Sequence, residues 1–170
     1  MLNYFSLLDM PVAVDLDRAL LDLQYREQQL RWHPDRFAAA PAAERQQALQ
    51  RTSLLNDAYL VLKTPLRRAE HLVELLGDGV THNARLPIDF LEQQLSARES
   101  LESAAEAHDR QAVEVLRKTA EASASERWSR LREQIAEHDL SSARVSLQEL
   151  QFLHKFVEEV ERLEERWLDS

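Results

Sequence analysis

The chain has no cysteine among its 170 residues. That excludes disulfides, thiolate metal ligands and a cysteine nucleophile, and it fits a reducing compartment. Glycine is almost as scarce: Gly77 and Gly79 are the only two. They sit together in Gly77-Asp78-Gly79, so a glycine-rich phosphate cradle cannot be assembled from them. No apolar run approaches the roughly 20 residues of a membrane span. The opening MLNYFSLLDMP lacks the basic stretch of a signal peptide. A cytoplasmic protein without membrane contact is expected.

Positive charge is also short. Lys and Arg number 21 against 30 Asp and Glu, for a net charge of −9. The deficit is uneven: residues 1–76 hold 9 basic against 10 acidic side chains, and residues 77–170 hold 12 against 20. No nucleic-acid partner is expected for such a surface. A basic or neutral protein is the better match for the second half.

What is abundant is helix-forming material. Hydrophobic residues at 44% and charged residues at 30% are globular values, and Leu, Glu, Ala, Arg and Gln dominate. An all-α fold follows. The segment from Gly77 to Pro87 gathers both glycines, an Asn and a Pro, so it reads as a linker between a unit at 1–76 and a unit at 88–170.

In the first unit a helical turn is expected around Asn3–Leu8, closed by Met10-Pro11. A longer helix should span Asp17–Trp32, with Leu16, Leu20, Leu23 and Leu30 as its apolar positions. A third covers Ala42–Lys63, with Leu55, Ala58, Tyr59 and Leu62 on one face. Thr64 as N-cap and Pro65 at the first helical position open a fourth, running to Leu76. After the linker, helices are expected from Pro87 to Ala107, from Asp109 to Glu137, and from Ser141 onward. Their faces suggest a three-helix bundle. Leu153, Phe156, Val160, Leu163 and Trp167 mark the last one, either as bundle core or as the seam of a dimer.

Chemistry concentrates at Trp32-His33-Pro34-Asp35. Pro34 disfavours helical backbone at His33 and removes a donor, so the second helix must end there. His33 and Asp35 are then presented at a bend. Such a pair can be a helix stop, a base with its orienting carboxylate, or a docking tip. Catalysis needs a nucleophile or metal besides. The six histidines, at 33, 71, 82, 108, 138 and 154, show no i,i+4 metal spacing, and no nucleophile elbow occurs. No enzyme, metal or cofactor is expected.

A second candidate lies in the bundle. Phe90, Gln94, Ala97, Leu101 and Ala104 alternate by four and three, as a core-facing stripe does. Leu91 and Leu95 stand about 100° around the helix from that stripe and share a face with Glu99. Phe152 is likewise one position off the stripe of Leu153 and Phe156. These apolar residues either widen a buried face or form an exposed patch rimmed by carboxylates.

The surroundings of the tripeptide resemble a J-domain, the module that stimulates ATP hydrolysis by DnaK-like chaperones. The likeness covers Tyr4-Phe5, Tyr25, Trp32, His33-Pro34-Asp35 with Arg36-Phe37, the run Leu55-Asn56-Asp57-Ala58-Tyr59, and Thr64 through Glu70. It implies an antiparallel hairpin of the second and third helices with the tripeptide at its tip. Chaperone contact would then fall to His33, Pro34, Asp35, Arg26 and Arg31. Gln28 departs from the apolar residue common there.

A J-domain followed by an acidic helical bundle is similar to the HscB family, co-chaperones of iron–sulfur cluster assembly. The segments Arg67–Leu72, Asp89–Glu99 and Phe152–Lys155 carry that likeness. Eukaryotic members add a cysteine-rich zinc site that this chain lacks, so the bacterial form fits. The resemblance implies a DnaK/HscA-type chaperone and an IscU-type scaffold as partners. The scaffold would be held by Leu91, Glu92, Leu95, Glu99 and Phe152, and would itself carry the cluster. Glu92 and Ser96 stand where relatives can have apolar and acidic residues. A J-domain adaptor for a different client is the other outcome compatible with these residues.

Overall fold

A computed structural model describes residues 2–77 and 85–168. Every regular element among them is helical, as the composition requires. Residues 1–80 and 81–170 form two compact units. Most of the expected linker, residues 78–84, lies outside the described residues.

In the first unit, helix α1 (Tyr4–Leu7) is started by the Asn3 side chain, which accepts from the Ser6 N–H at 3.1 Å. Asp9 then takes a left-handed φ of 52°, tolerable for Asp because its short polar side chain bonds locally. The Met10 N–H returns to the Phe5 carbonyl at 2.9 Å and closes the turn before Pro11. Helix α2 (Arg18–Trp32) is capped by Asp17, whose Oδ1 accepts from the Ala19 and Leu20 N–H groups at 2.8 and 3.2 Å. Such a cap contributes about 1 kcal/mol. A 3-10 turn follows at Pro34–Phe37, then α3 (Ala42–Leu62) and α4 (Pro65–Leu76).

Thr64 occupies the N-cap position of α4, with Pro65 at the first helical place. Its hydroxyl makes no cap, however, and donates back to the Leu60 carbonyl at 3.2 Å. The helical backbone of α3 runs on through Lys63, so the hydroxyl reaches the carbonyl four residues back, as Thr does along a helix.

The apolar positions expected for α2 are not its core. Leu20, Leu23 and Leu30 are exposed, and Leu21 is the helix's one fully buried residue. The face turned to α3 is built from aromatic and amide groups instead. Tyr25 stacks on Tyr59 with ring centroids 4.1 Å apart. The Tyr25 hydroxyl donates to Asn56 Oδ1 at 2.8 Å, and Gln29 donates to the same oxygen. Tyr59 donates to Asp22 at 2.9 Å and receives Arg18 at 2.9 Å. Polar groups of this interface satisfy one another, so it need not be apolar throughout. Gln28 also has a partner, donating to Asp9 at 2.7 Å.

Helix α4 closes this unit. Ala69, Leu72 and Val73 are buried with Leu55, Ala58 and Leu62 of α3 and with Phe5 of α1. Two ionisable residues go in with them. Arg68 donates to the Val14 carbonyl at 2.6 Å and to that of Leu62 at 2.5 Å. His71 stacks on Tyr4 at 4.4 Å and accepts the Tyr4 N–H on Nε2 at 3.2 Å. Burial pushes both groups below their ordinary pKa, because a charge loses its hydration there.

The second unit comprises α5 (Ile88–Glu106), α6 (Arg110–Ala136) and α7 (Leu140–Leu168). Helices α6 and α7 are antiparallel: Arg110 donates to the Trp167 carbonyl at 3.1 Å, and Ser146 donates to Gln134 at 2.8 Å near the other end. The stripe Phe90, Gln94, Leu101 and Ala104 is buried as its spacing predicts, with Ala97 packed partly against it. Leu153, Phe156, Val160 and Leu163 are buried in the same cluster, and Trp167 packs on its edge. Leu153, Phe156, Val160 and Leu163 are thus bundle core within one chain.

Both bundle turns use the same device without glycine. His108 and His138 take left-handed φ values of 53° and 58°, and the Asp after each caps the next helix. Asp109 accepts from Ala112 N–H at 3.0 Å and Asp139 from Ser142 N–H at 3.1 Å. Hydrogen bonds from Ser142 hold the Asp139 carboxyl below the usual carboxylate range.

Candidate functional site

The tripeptide stands where α2 gives way to α3. His33 is extended, with φ −58° and ψ 129°, as a residue before proline must be. Its ring caps the turn it precedes: Nδ1 accepts the Asp35 N–H at 3.3 Å. Asp35 Oδ2 lies 3.5 Å from the same nitrogen. With Nδ1 as acceptor, a neutral ring carries its proton on Nε2 and has a donor left over. The capping group of this turn is thus His33.

The bend is held from behind. Trp32 and Phe37 stack with planes 7° apart and centroids at 6.0 Å. The Thr52 hydroxyl of α3 donates to the Trp32 carbonyl at 3.0 Å, and Arg36 reaches back to the Leu30 carbonyl at 3.2 Å. Arg31 and Arg51 lie over the Trp32 ring at 5.9 and 5.6 Å. Arg51, on α3, could not be assigned to the tip from sequence. It lies 19 positions from Trp32, and only the hairpin joins them.

This frame leaves the polar side chains in solvent, 51% exposed for His33 and 91% for Asp35. General-base chemistry would need an enclosed substrate beside them; a rigid exposed bend suits contact with a macromolecule. Arg31 flanks the tip directly. Arg26 is exposed as well but sits seven residues earlier, roughly 10 Å up the helix. There it adds a small share to the lowered pKa of Asp22, after the Tyr59 hydroxyl and Arg18.

In the bundle, Leu91 and Leu95 are 41% and 61% exposed, so they do not widen the buried face of α5. Glu92 and Glu99 are exposed beside them, and so is Ser96. Phe152 differs: it is half-buried, packs on the bundle core, and meets Phe90 edge-on with centroids 6.2 Å apart. Ile88, 72% exposed at the start of α5, extends the apolar surface. Its spacing of three from Leu91 and seven from Leu95 was the available signal. The result is an apolar ridge with carboxylates around it.

Neither place offers a ligand set for a metal; no cluster of three His, Cys, Asp or Glu could hold one among the described residues. A groove of about 610 Å³ between the later halves of α5 and α7, lined by Leu101, Ala105, Leu163 and Glu159 among others, is an open surface cleft. No described helix is long and apolar enough to cross a membrane.

Residues 86–161 match the family model described as the HSCB C-terminal oligomerisation domain. Among curated relatives, a "Co-chaperone protein HscB homolog" of Vibrio cholerae is 38% identical, over 98% of this chain and 99% of its own length. One of Shewanella amazonensis is 36% identical, over 99% and 100%. The solved structure of "Chaperone HscB from Vibrio cholerae" superposes with a TM-score of 0.85 at 37% identity, covering 97% of this chain and 99% of that one. That of human co-chaperone protein HscB gives 0.83 at 25% identity, covering 95% and 81%. With the exposed His-Pro-Asp bend in one unit and the apolar ridge in the other, this chain belongs to the HscB co-chaperone family.

Proposed function

We propose that the chain stimulates the ATPase of a DnaK/HscA-type chaperone through its first unit and delivers an IscU-type iron–sulfur scaffold through its second. Cluster transfer and maturation of iron–sulfur proteins would follow from that delivery. In this reading residues 1–76 are the J-domain, 77–87 the linker and 88–170 the scaffold-binding bundle, and the protein works in the cytoplasm without performing chemistry of its own. His33, Pro34, Asp35, Arg26 and Arg31 face the chaperone. Leu91, Glu92, Leu95, Glu99 and Phe152 face the scaffold.

The observation that carries the reading is the His33–Asp35 bend. Its backbone is fixed from behind by Trp32, Phe37 and Thr52, while its polar side chains are exposed to solvent. A buried, satisfied helix stop would have no reason to leave them there. The ridge of Leu91 and Leu95 supports the second half: apolar groups beside carboxylates fit a partner with an apolar contact and a basic rim.

Single-turnover ATP hydrolysis by the chaperone, with the full-length chain as His33→Gln, tests this. Stimulation should be lost while circular dichroism and scaffold affinity stay as in the unsubstituted protein. Undiminished stimulation by a folded variant would refute the chaperone-facing role of the bend.

A further inference from the structure

Below the exposed ridge lies a charge that the ridge itself does not use. Arg127 of α6 and Glu149 of α7 are 14% and 10% exposed at their side chains, with Nε and Oε2 3.3 Å apart. Glu149 is the one buried carboxylate among the described residues. Removing two charges from water is costly and does not by itself favour folding, so their placement needs another account.

Arg127 touches a wall of the ridge. The Arg127 guanidinium lies over the Phe90 ring, 5.5 Å from its centroid, and Phe90 immediately precedes Leu91. Glu149 stands three residues before Phe152 on α7, and Phe152 meets Phe90 edge-on. A planar cation between a carboxylate and an aromatic face allows few positions for either. The other polar residue that α5 buries, Gln94, leaves its Oε1 without a partner among the described residues. Arg127 Nε likewise makes no hydrogen bond among the described residues, so the guanidinium holds Glu149 by charge and meets α5 through the face of the Phe90 ring.

We infer that Arg127 and Glu149 are positioning residues for scaffold docking: they fix where Phe90 lies on the α6–α7 pair, and so where Leu91, Leu95 and Phe152 stand, without touching the partner. This rests on the scaffold-binding reading above. Lysine at position 127 would keep the charge facing Glu149 but lose the flat guanidinium that covers Phe90.

The test is calorimetric titration of the full-length chain with an IscU-type scaffold protein, unsubstituted and as Arg127→Lys, Phe90→Leu and Leu91→Ala/Leu95→Ala. Arg127→Lys and Phe90→Leu should each weaken binding about tenfold, with helicity kept and with shifted aromatic proton resonances for Phe152. Should one of the two fail to fold, the other decides. Binding by both folded variants at the unsubstituted affinity, with Leu91→Ala/Leu95→Ala impaired, overturns the positioning role alone. No binding by the unsubstituted chain overturns the scaffold reading together with it.

Discussion

His33 is both a cap and an exposed donor, and the two roles have different magnitudes. The cap is one hydrogen bond at 3.3 Å on a four-residue turn, worth about 1 kcal/mol or less at such a site. His33→Gln should therefore cost little stability while removing the ring a partner would read. His71 is the opposite case, a buried histidine. Burial lowers its pKa, so below about pH 6.5 the unfolded chain takes a proton that the folded chain refuses. Its contribution to stability is intact above that pH and is lost as pH falls toward the folded value. The urea midpoint should decrease between pH 7.5 and 5.5, and more steeply than in His71→Gln; equal slopes would remove His71 as the cause. The tripeptide was legible in the sequence because Pro34 dictates backbone by sterics alone. The burial of Arg68 and His71 was not, since the Val14 carbonyl and the Tyr4 amide that receive them lie more than 50 residues away along the chain.

Helix limits were legible to within a residue or two, because Asp17, Pro34, Pro65 and Asp109 act locally on backbone donors. Which face of a helix is buried depends on its neighbour. In α2 Leu20, Leu23 and Leu30 point one way and Leu21, Tyr25 and Trp32 another, and the second face is the one that packs on α3, with Tyr25 stacked on Tyr59. The bundle stripe of α5 needed no such arbitration, as its apolar residues repeat at one period. The left-handed histidines were also invisible, because glycine is the usual marker of such turns. Non-glycine residues there carry roughly 1 kcal/mol of strain. His138→Gly should stabilise the protein by about 0.5–1 kcal/mol. A chemical-denaturation midpoint that fails to rise would show that the left-handed backbone at His138 carries no net strain.

At the scale of the whole chain, two compact units carry two surfaces of different chemistry, a polar bend in one and an apolar ridge with carboxylates in the other. The acidic balance was legible from counting; that Leu91 and Leu95 fall off the core period was legible too, but their exposure was decided only by the packing of the bundle. Phe152 was read only in part: its ring is shared between ridge and core, so Phe152→Ala would mix lost contact with an opened cavity. Leu91 and Leu95 are free of that ambiguity. Calorimetric titration of an IscU-type scaffold into the full-length Leu91→Ala/Leu95→Ala variant is thus the most direct measurement of whether the bundle is the delivery surface. Truncating two anchors at about 1–2 kcal/mol each should weaken binding by at least about thirtyfold, with the melting temperature within a few degrees of the unsubstituted protein. Unchanged affinity in that variant would contradict scaffold delivery by this ridge.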